Sequence, residues 1–430
     1  MKYQAAKGVF DILPSLYLSP EELWKSSEFW AKLEAFIRNH VHLYGFKEIR
    51  TPIFEDTDLF LRSIGDETDI VSKEMYTLCD KAGRSLTLRP EGTAAVVRSF
   101  IENKSSPNRT FHKFFYIGPM FRYERPQKGR YRQHHQLGVE ILGETGPFQD
   151  AEIIEMLVSL YKKSGLQDLR LLINSVGDQE SRKKYKEALQ SYLAPYLSSL
   201  SSESQQRFSK NLLRILDSKD PQDREILKNS PLLQDFLTPS AKEHFRLVQE
   251  MLKELEVPFV VDPFLVRGLD YYNHTVFEVQ TTHLGAQNSI GGGGRYDGLV
   301  EQLGGASIGS CGFGTGLERW IQALLSHNPA FFSTTPNFLV LIPLGQREAS
   351  YCYKWACQMR SLSIPVEVES FHKKLKNSLQ KASQEGVEWA LIVGEEELSK
   401  GIFNLKNMRT HASYSLAPAE ILCKLQGNNG

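Results

Sequence analysis

Apolar residues recur at steps of three and four through Trp30, Leu33, Ile37, Val41 and Tyr44, the period of one helix face. The spacing predicts a helix over 20–44. Ser19 would cap it, Pro20 suits the first helical position, Glu22 sits at the capping-box offset, and Gly45 stops it. Residues 48–54 then read as a strand. Pro52 inside that strand points to a sheet edge or an interface, because proline cannot donate to a ladder. Two β-rich runs follow at 114–123 and 131–142, joined by the polar, basic loop 124–130.

A helix over 150–164 and a strand over 169–174 come next. From about 177 to 257 glycine vanishes while Leu, Lys, Glu and Ser recur at helical spacing, which predicts a helical insertion. Strand patterning over 274–280 leads into the glycine cluster 291–294 and a further strand over 308–314. A helix beginning near Thr315 carries Leu317, Trp320, Ile321 and Leu324 on one face. Beyond Pro336 the pattern alternates: strand 338–343, helix 347–362, strand 365–369, helix 373–386, strand 388–393. That order predicts a parallel-rich α/β domain. The expected division is a main domain in two parts, 1–176 and 258–326, interrupted by the insertion 177–257. A linker over 327–336 leads to the last domain, 337–430.

A length of 430 residues with 41% hydrophobic and 24% charged residues is globular composition for two or three domains. No run approaches the roughly 20 apolar residues of a membrane span, and the N-terminus lacks a signal-peptide core. The five cysteines form no Cys-x-x-Cys pair, so neither a disulfide framework nor a zinc site is expected. A soluble protein of the reducing cytoplasm fits these features. Lys+Arg and Asp+Glu both number 51. That balance weighs against a small DNA-binding module and leaves room for a local basic patch.

Candidate chemistry begins with strand alternation. Gln136, Gly138 and Glu140 share one face of the run 131–142, and Leu137, Val139 and Ile141 share the other. An amide and a carboxylate flanking a glycine make room for a polar ligand, although a solvated sheet face has the same pattern. The preceding strand ends in Arg122 and opens a loop with Arg125, Lys128, Arg130 and Arg132, a cation set suited to phosphate oxygens. Pro90-Glu91-Gly92 sets a carboxylate on a turn, where it reads as exposed and suited to an ammonium group. The tetraglycine before Arg295-Tyr296-Asp297-Gly298 would let backbone approach a ligand; it is neither a phosphate loop nor a dinucleotide fingerprint. Arg319 falls in the first turn of a helix, an unfavourable place for a cation unless a phosphate lies there.

These residues carry a resemblance. Phe121-Arg122-Tyr123-Glu124-Arg125-Pro126, with its loop and second strand, resembles motif 2 of the class II aminoacyl-tRNA synthetases. Gly312 to Arg319 resembles motif 3, and the 20–44 helix with Pro52 resembles motif 1. Leu265-Val266-Arg267-Gly268-Leu269-Asp270-Tyr271-Tyr272 and Gly292-Gly293-Gly294-Arg295-Tyr296-Asp297-Gly298-Leu299 are similar to the two signature peptides of the histidyl-tRNA synthetases. Gly8-Val9-Phe10-Asp11-Ile12-Leu13-Pro14 matches that family's opening, with Val-Phe in place of its usual polar pair. The five motifs occur in order across essentially the whole chain, and the class I signatures are absent.

The resemblance implies an α+β fold: a class II synthetase antiparallel sheet flanked by helices, a helical insertion and a C-terminal α/β anticodon-binding domain. It implies a homodimer joined through motif 1. It implies ATP as substrate with Mg²⁺, no metal residue being assigned, and L-histidine and tRNA(His) as partners. Arg122 and Arg267 would flank the reacting α-phosphate, and Arg319 and, more weakly, Arg130 would hold ATP. Glu91, Thr93 and Gln136 would receive the α-amino group. Glu140 and Tyr272 would read the imidazole, and Tyr271 would line the pocket. The competing readings are a synthetase for glycine, threonine or proline, a synthetase-like regulatory subunit of histidine biosynthesis, and a generic ATP- or RNA-binding module. The two signature peptides argue against the first and third. Arg122, Arg267, Arg319 and the 337–430 segment argue against the second.

Overall fold

Eight strands pair into one sheet in the computed structural model, which describes residues 3–65, 68, 70–103, 111–125, 129–143, 146–282, 288–332 and 339–426. Along the chain they are β1 (Lys47–Glu48), β5 (Phe111–Phe121), β6 (Gln133–Gly143), β7 (Leu169–Ser175), β8 (Val260–Val261), β9 (Asn273–Thr281), β10 (Ser289–Arg295) and β11 (Gly309–Gly316). Their spatial order is β1-β5-β6-β11-β10-β9-β7-β8. The six central strands are antiparallel throughout, and only the two-residue edge strands β1 and β8 pair in parallel. A small second sheet holds β2 (Phe54–Asp56), β3 (Tyr76–Cys79) and β4 (Ser85–Leu88). The chain divides into two compact units, Met1–Phe332 and Ser333–Gly430.

One face of the large sheet is apolar and buried under helices. Phe115, Leu137, Val139, Ile141, Phe277 and Phe313 join Trp30, Leu33, Ile37 and Val41 of the helix Ser27–Leu43. The same core takes Leu317, Trp320, Ile321 and Leu324 of the helix Leu317–His327, together with the inner side of Pro147–Ser164. The strand residues of this set share a face because strand side chains alternate with period two, and the helix residues because theirs recur at steps of three and four. The opposite face is left for polar groups.

The span 177–257 is helical, with helices at Gln179–Leu193, Ser202–Lys210, Pro221–Leu227 and Pro239–Glu254. It leans on the sheet. Leu189, Leu213 and Leu216 share a cluster with Leu172 and Val276, and Phe245, Val248 and Leu252 enter the main core. A buried ion pair fastens the last of these helices to the rest. Arg295 gives Nη2 to Asp150 Oδ1 at 2.7 Å, and His244 Nε2 lies 2.7 Å from Asp150 Oδ2. Arg295 is 2% and Asp150 1% exposed. Burial alone would raise the Asp150 carboxyl, but Arg295 and His244 hold it down at about 2.

Several boundaries depart from the sequence expectations. The helix expected over 20–44 is broken: Pro20–Lys25 is a 3₁₀ stretch, and the α-helix starts after Ser26 rather than Ser19. Ser26 is buried, accepts from Phe29 N at 3.4 Å, and donates to Glu28 at 2.6 Å, which makes it the stronger cap. The strand expected over 48–54 is two short strands in different sheets, β1 and β2, with Pro52 between them. Arg89 takes over that break, donating Nη1 to the carbonyls of Thr51 and Pro52 and Nε to that of Pro119. The glycine cluster is strand β10, in the interior of the sheet.

The second unit carries β12 (Leu339–Pro343), β13 (Val366–Val368), β14 (Trp389–Val393), β15 (Phe403–Asn407) and β16 (Ser413–Leu416), ordered β13-β12-β14-β15-β16. The βαβαβ portion is parallel, as its alternation predicts. The antiparallel strands β15 and β16 were not anticipated and make the sheet mixed. Lys128 and the rest of 126–128, and the linker from 333 onward, lie outside the described residues.

Candidate active site

The polar face of the large sheet is floored by glycine. Gly138 on β6, Gly312 and Gly314 on β11, and Gly292 and Gly294 on β10 stand side by side in the pairing register. Each lies beneath a side chain from a neighbouring element. A methyl group at Gly138 would meet the Tyr116 ring at 2.0 Å, at Gly312 the Glu140 carboxylate at 2.1 Å, and at Gly314 the Gln136 amide at 2.6 Å. At Gly292 it would meet Arg267 at 3.0 Å, and at Gly294 Tyr272 at 3.0 Å. Large polar side chains therefore lie across the sheet in a space that no other residue type leaves open.

Beside them is a cavity of about 970 Å³ lined by Glu91, Thr93, Arg122, Arg130, Gln136, Glu140, Arg267, Tyr271, Tyr272 and Arg319, among others. The ten residues given a site role by the resemblance therefore meet in one place. Arg125 and Arg132 of the cation loop are not in the lining, Arg132 lying over the Tyr123 ring at 4.0 Å. The register orders them. From Glu140 to Gln136 along β6 is four residues, about 13 Å at strand rise. Beyond Gln136 come His134 and, across the pair Phe121–Gln133, Arg122. Gly316, paired with Gln136, leads directly into the helix that carries Arg319. The cavity is acidic toward Glu140 and cationic toward Arg122 and Arg319.

At the acidic end Glu140 is 1% exposed and ringed by hydroxyls. Thr93 Oγ1 donates to Oε1 at 2.8 Å, Tyr116 OH approaches the same oxygen at 3.4 Å, and Tyr296 OH donates to Oε2. Burial pushes the Glu140 carboxyl up to about 8, with the nearby Glu91 charge adding to the rise against the opposing hydroxyl bonds. Glu91 is buried, against the expectation of an exposed carboxylate. It accepts from the backbone N–H of Thr93 at 2.5 Å and Ala94 at 2.9 Å, capping the helix Thr93–Glu102. Burial raises it as well, while those two donors pull the other way. Gln136 donates to Tyr116 OH at 3.2 Å. Burial also raises Tyr271, Tyr272 and Tyr296, so the phenols remain hydrogen-bond donors.

At the cationic end Arg122 donates Nε to the Pro90 carbonyl at 2.8 Å, tying the strand end to the Glu91 turn. Arg319 donates to the carbonyls of Gly129 and Ser289, both at 2.9 Å. Burial and the neighbouring Arg130 lower its affinity for its own proton, the signature of crowded cations that an anion would relieve. Arg130 is half-exposed and lies 3.4 Å from Glu124. Arg267 pairs with Glu278 at 2.9 Å, yet its buried Nε finds no hydrogen-bond partner among the described residues. In the cavity lining this leaves a donor that a ligand could satisfy.

Sequence reading gave no site role to His134, Glu278 and Tyr296, which line the cavity, or to Tyr116, which lies over Gly138 and against Glu140. Tyr116 sits opposite Gly138 in the β5–β6 register, so pairing the two runs would have found it. Burial, then Arg122, lowers His134 to about 3, so it stays neutral among the arginines. Among the described residues no group of three His, Cys, Asp or Glu side chains could hold a metal ion.

Comparison with known proteins adds to this geometry. A family model for histidyl-tRNA synthetase matches residues 18–320, and one for an anticodon binding domain matches 339–428. The chain is 49% identical over 421 residues to a histidine–tRNA ligase of Protochlamydia amoebophila, covering 98% of this chain and 99% of that one. A histidine–tRNA ligase of Chlamydia pneumoniae is 48% identical over 405 residues, covering 94% and 93%. The crystal structure of apo histidyl-tRNA synthetase from S. aureus superposes with a TM-score of 0.80 at 36% identity, covering 99% and 100%.

The burial of Glu140 has a thermodynamic signature. Between the ordinary carboxylate range and about 8, the fold retains a proton that the unfolded chain releases, so stability falls as pH rises through that window. Glu140→Gln cannot titrate. The margin by which its melting temperature exceeds that of the wild type should grow between about pH 5 and about pH 9. Parallel melting curves for the two proteins would contradict the buried, neutral carboxyl.

Proposed function

The chain belongs to the histidyl-tRNA synthetase family, and from that premise we propose how its cavity performs the reaction. It is an ATP-dependent aminoacyl-tRNA synthetase, a histidine–tRNA ligase. Histidine and ATP give histidyl-adenylate and pyrophosphate, and the histidyl group then passes to the terminal ribose of tRNA(His). The supporting observation is a single cavity with a buried acid at one end and a cluster of arginines at the other.

No side chain need act as nucleophile. The histidine carboxylate attacks the α-phosphorus, and the protein supplies position and charge. In our reading Glu91, Thr93 and Gln136 receive the α-amino group. Glu140 and Tyr272 meet the imidazole nitrogens, with Tyr271 packing alongside at 4.7 Å between the two tyrosine rings. Whichever group holds it, one proton is shared between the Glu140 carboxyl and the ring. An apolar side chain in the same place would leave these buried groups unpaired, a discrimination of roughly 10⁴-fold. Arg122 and Arg267 face the α-phosphate from opposite sides of the cleft, and Arg319 and Arg130 hold the outer phosphates. Mg²⁺ would travel with the ATP phosphates, and the carboxylates of Glu124 and Glu278 in the cavity lining are the oxygen donors to hand.

The same proposal divides the chain into catalytic parts 1–176 and 258–326, the insertion 177–257 and the tRNA-reading domain 337–430. It places the protein in the cytoplasm, where cell fractionation should find it; no helix among the described residues is long and apolar enough to cross a membrane. The regulatory alternative accounts for neither the anticodon binding model over 339–428 nor the arginine cluster.

Histidine alone among the standard amino acids should drive ATP–pyrophosphate exchange, and charging of tRNA should additionally need residues 337–430. Exchange with another amino acid instead would overturn the assignment. Near Pro52, Leu43, Ile53 and Phe54 are exposed apolar residues. A dimer joined through this segment would cover them, and light scattering at micromolar concentration should give twice the chain mass; a monomer would contradict it. Arg267→Ala should slow adenylate formation by about 10²–10³-fold, with smaller effects on substrate binding and on transfer from preformed adenylate. Equal slowing of both steps in a folded variant would reduce Arg267 to a structural partner of Glu278.

A further inference from the structure

Tyr296 takes no part in the roles assigned above, yet it is 1% exposed and makes the only hydrogen bond found to Glu140 Oε2 among the described residues. The other two donors to the carboxyl, Thr93 and Tyr116, both address Oε1. Without the Tyr296 hydroxyl one oxygen would lose its donor, and the group could turn about its side-chain axis.

The backbone around Tyr296 is pinned on three sides. Its N–H donates to the Ser310 carbonyl at 2.8 Å. On the residue before it, Arg295 turns to the opposite face and is locked by Asp150 at 2.7 Å. On the residue after it, Asp297 Oδ1 takes Arg295 Nη1 and the Ser310 N–H, both at 2.8 Å. The ring itself packs edge-on against Tyr271, with centroids 5.5 Å apart. So much fixed structure behind one phenol exceeds what filling space requires.

We propose that Tyr296 is a specificity-determining positioning residue: held from behind by the Arg295–Asp150 pair, its hydroxyl sets the Glu140 carboxyl in the attitude that reads the substrate's imidazole. The inference rests on the reading of Glu140 given above. The Arg295–Asp150–His244 cluster thereby links the helix Pro239–Glu254 to the amino-acid pocket through chain connectivity at residues 295–296.

The test is Tyr296→Phe in the full-length protein, followed by histidine-dependent ATP–pyrophosphate exchange. Losing a hydrogen bond to a carboxyl group should raise KM for histidine by about 10- to 100-fold. KM for ATP and the melting temperature should stay close to wild type, and kcat should change far less than KM for histidine. In Glu140→Gln, whose own KM for histidine should be raised, adding Tyr296→Phe should cost little more, because the two act as one unit. An unchanged KM for histidine, or independent multiplying effects, would overturn the proposal. So would a general loss across ATP, histidine and stability. If Glu140→Gln alone leaves KM for histidine unchanged, the reading of the pocket fails first and takes this proposal with it. Should the Phe variant fold poorly, fluorotyrosine placed at 296 alone keeps the size and changes the donor strength. KM for histidine should then shift, and no shift counts against the role.

Discussion

A β-sheet offers a rigid platform for a ligand only if the side chains that would cover it are removed. That constraint governs this protein. Five glycines on three adjacent strands clear a floor, and Glu140, Gln136, Tyr116, Arg267 and Tyr272 lie down over it from the flanks. On β6 and β11 the opposite face carries bulky apolar residues at alternate positions, such as Val139, Ile141 and Phe313, while on β10 it carries Gly291 and Gly293. A single period-two pattern thus builds the core and the pocket at once. It also explains why the alternation must hold without a slip: moving β6 by one residue would send Glu140 into the core.

The floor would be empty space without charge arranged along it. Burial keeps Glu140 and Glu91 reluctant to ionise, while the far end gathers Arg122, Arg130 and Arg319, with burial and the Arg130 charge both working against the Arg319 proton. Both ends carry electrostatic tension that a zwitterionic amino acid and a polyphosphate would release. In a site designed for stability alone, such groups would be paired or absent. The buried Asp150–Arg295 pair on the core side is the contrasting case: fully compensated, and structural in its direct contacts.

Much of this was legible from the residues. The face of Gln136, Gly138 and Glu140 follows from alternation, and the arginines announced themselves by clustering. What failed were decisions that depend on tertiary partners. Ser19 has the capping-box spacing on paper, and only the fold shows Ser26 buried beside Glu28 as the cap. Pro52 was read as marking an edge or interface within one strand; that the strand breaks there, with Arg89 occupying the break through two carbonyl bonds, could not be read locally. Glu91 looked exposed because a Pro-Glu-Gly turn ordinarily is, and here a helix begins immediately after it. Tyr116 and Tyr296 were missed because each meets Glu140 across the sheet, 24 and 156 residues away in the chain.

The central claim is that a buried carboxyl group, held over a glycine floor, reads the imidazole ring. It is tested most directly by nitrogen NMR of ring-labelled histidine bound to the full-length protein and to its Glu140→Gln variant. The account predicts that a ring nitrogen in the wild-type complex reports a strong hydrogen bond to a carboxyl group, and that this signal moves toward its free-histidine position in the variant. Ring-nitrogen spectra that are identical in the two complexes would contradict it.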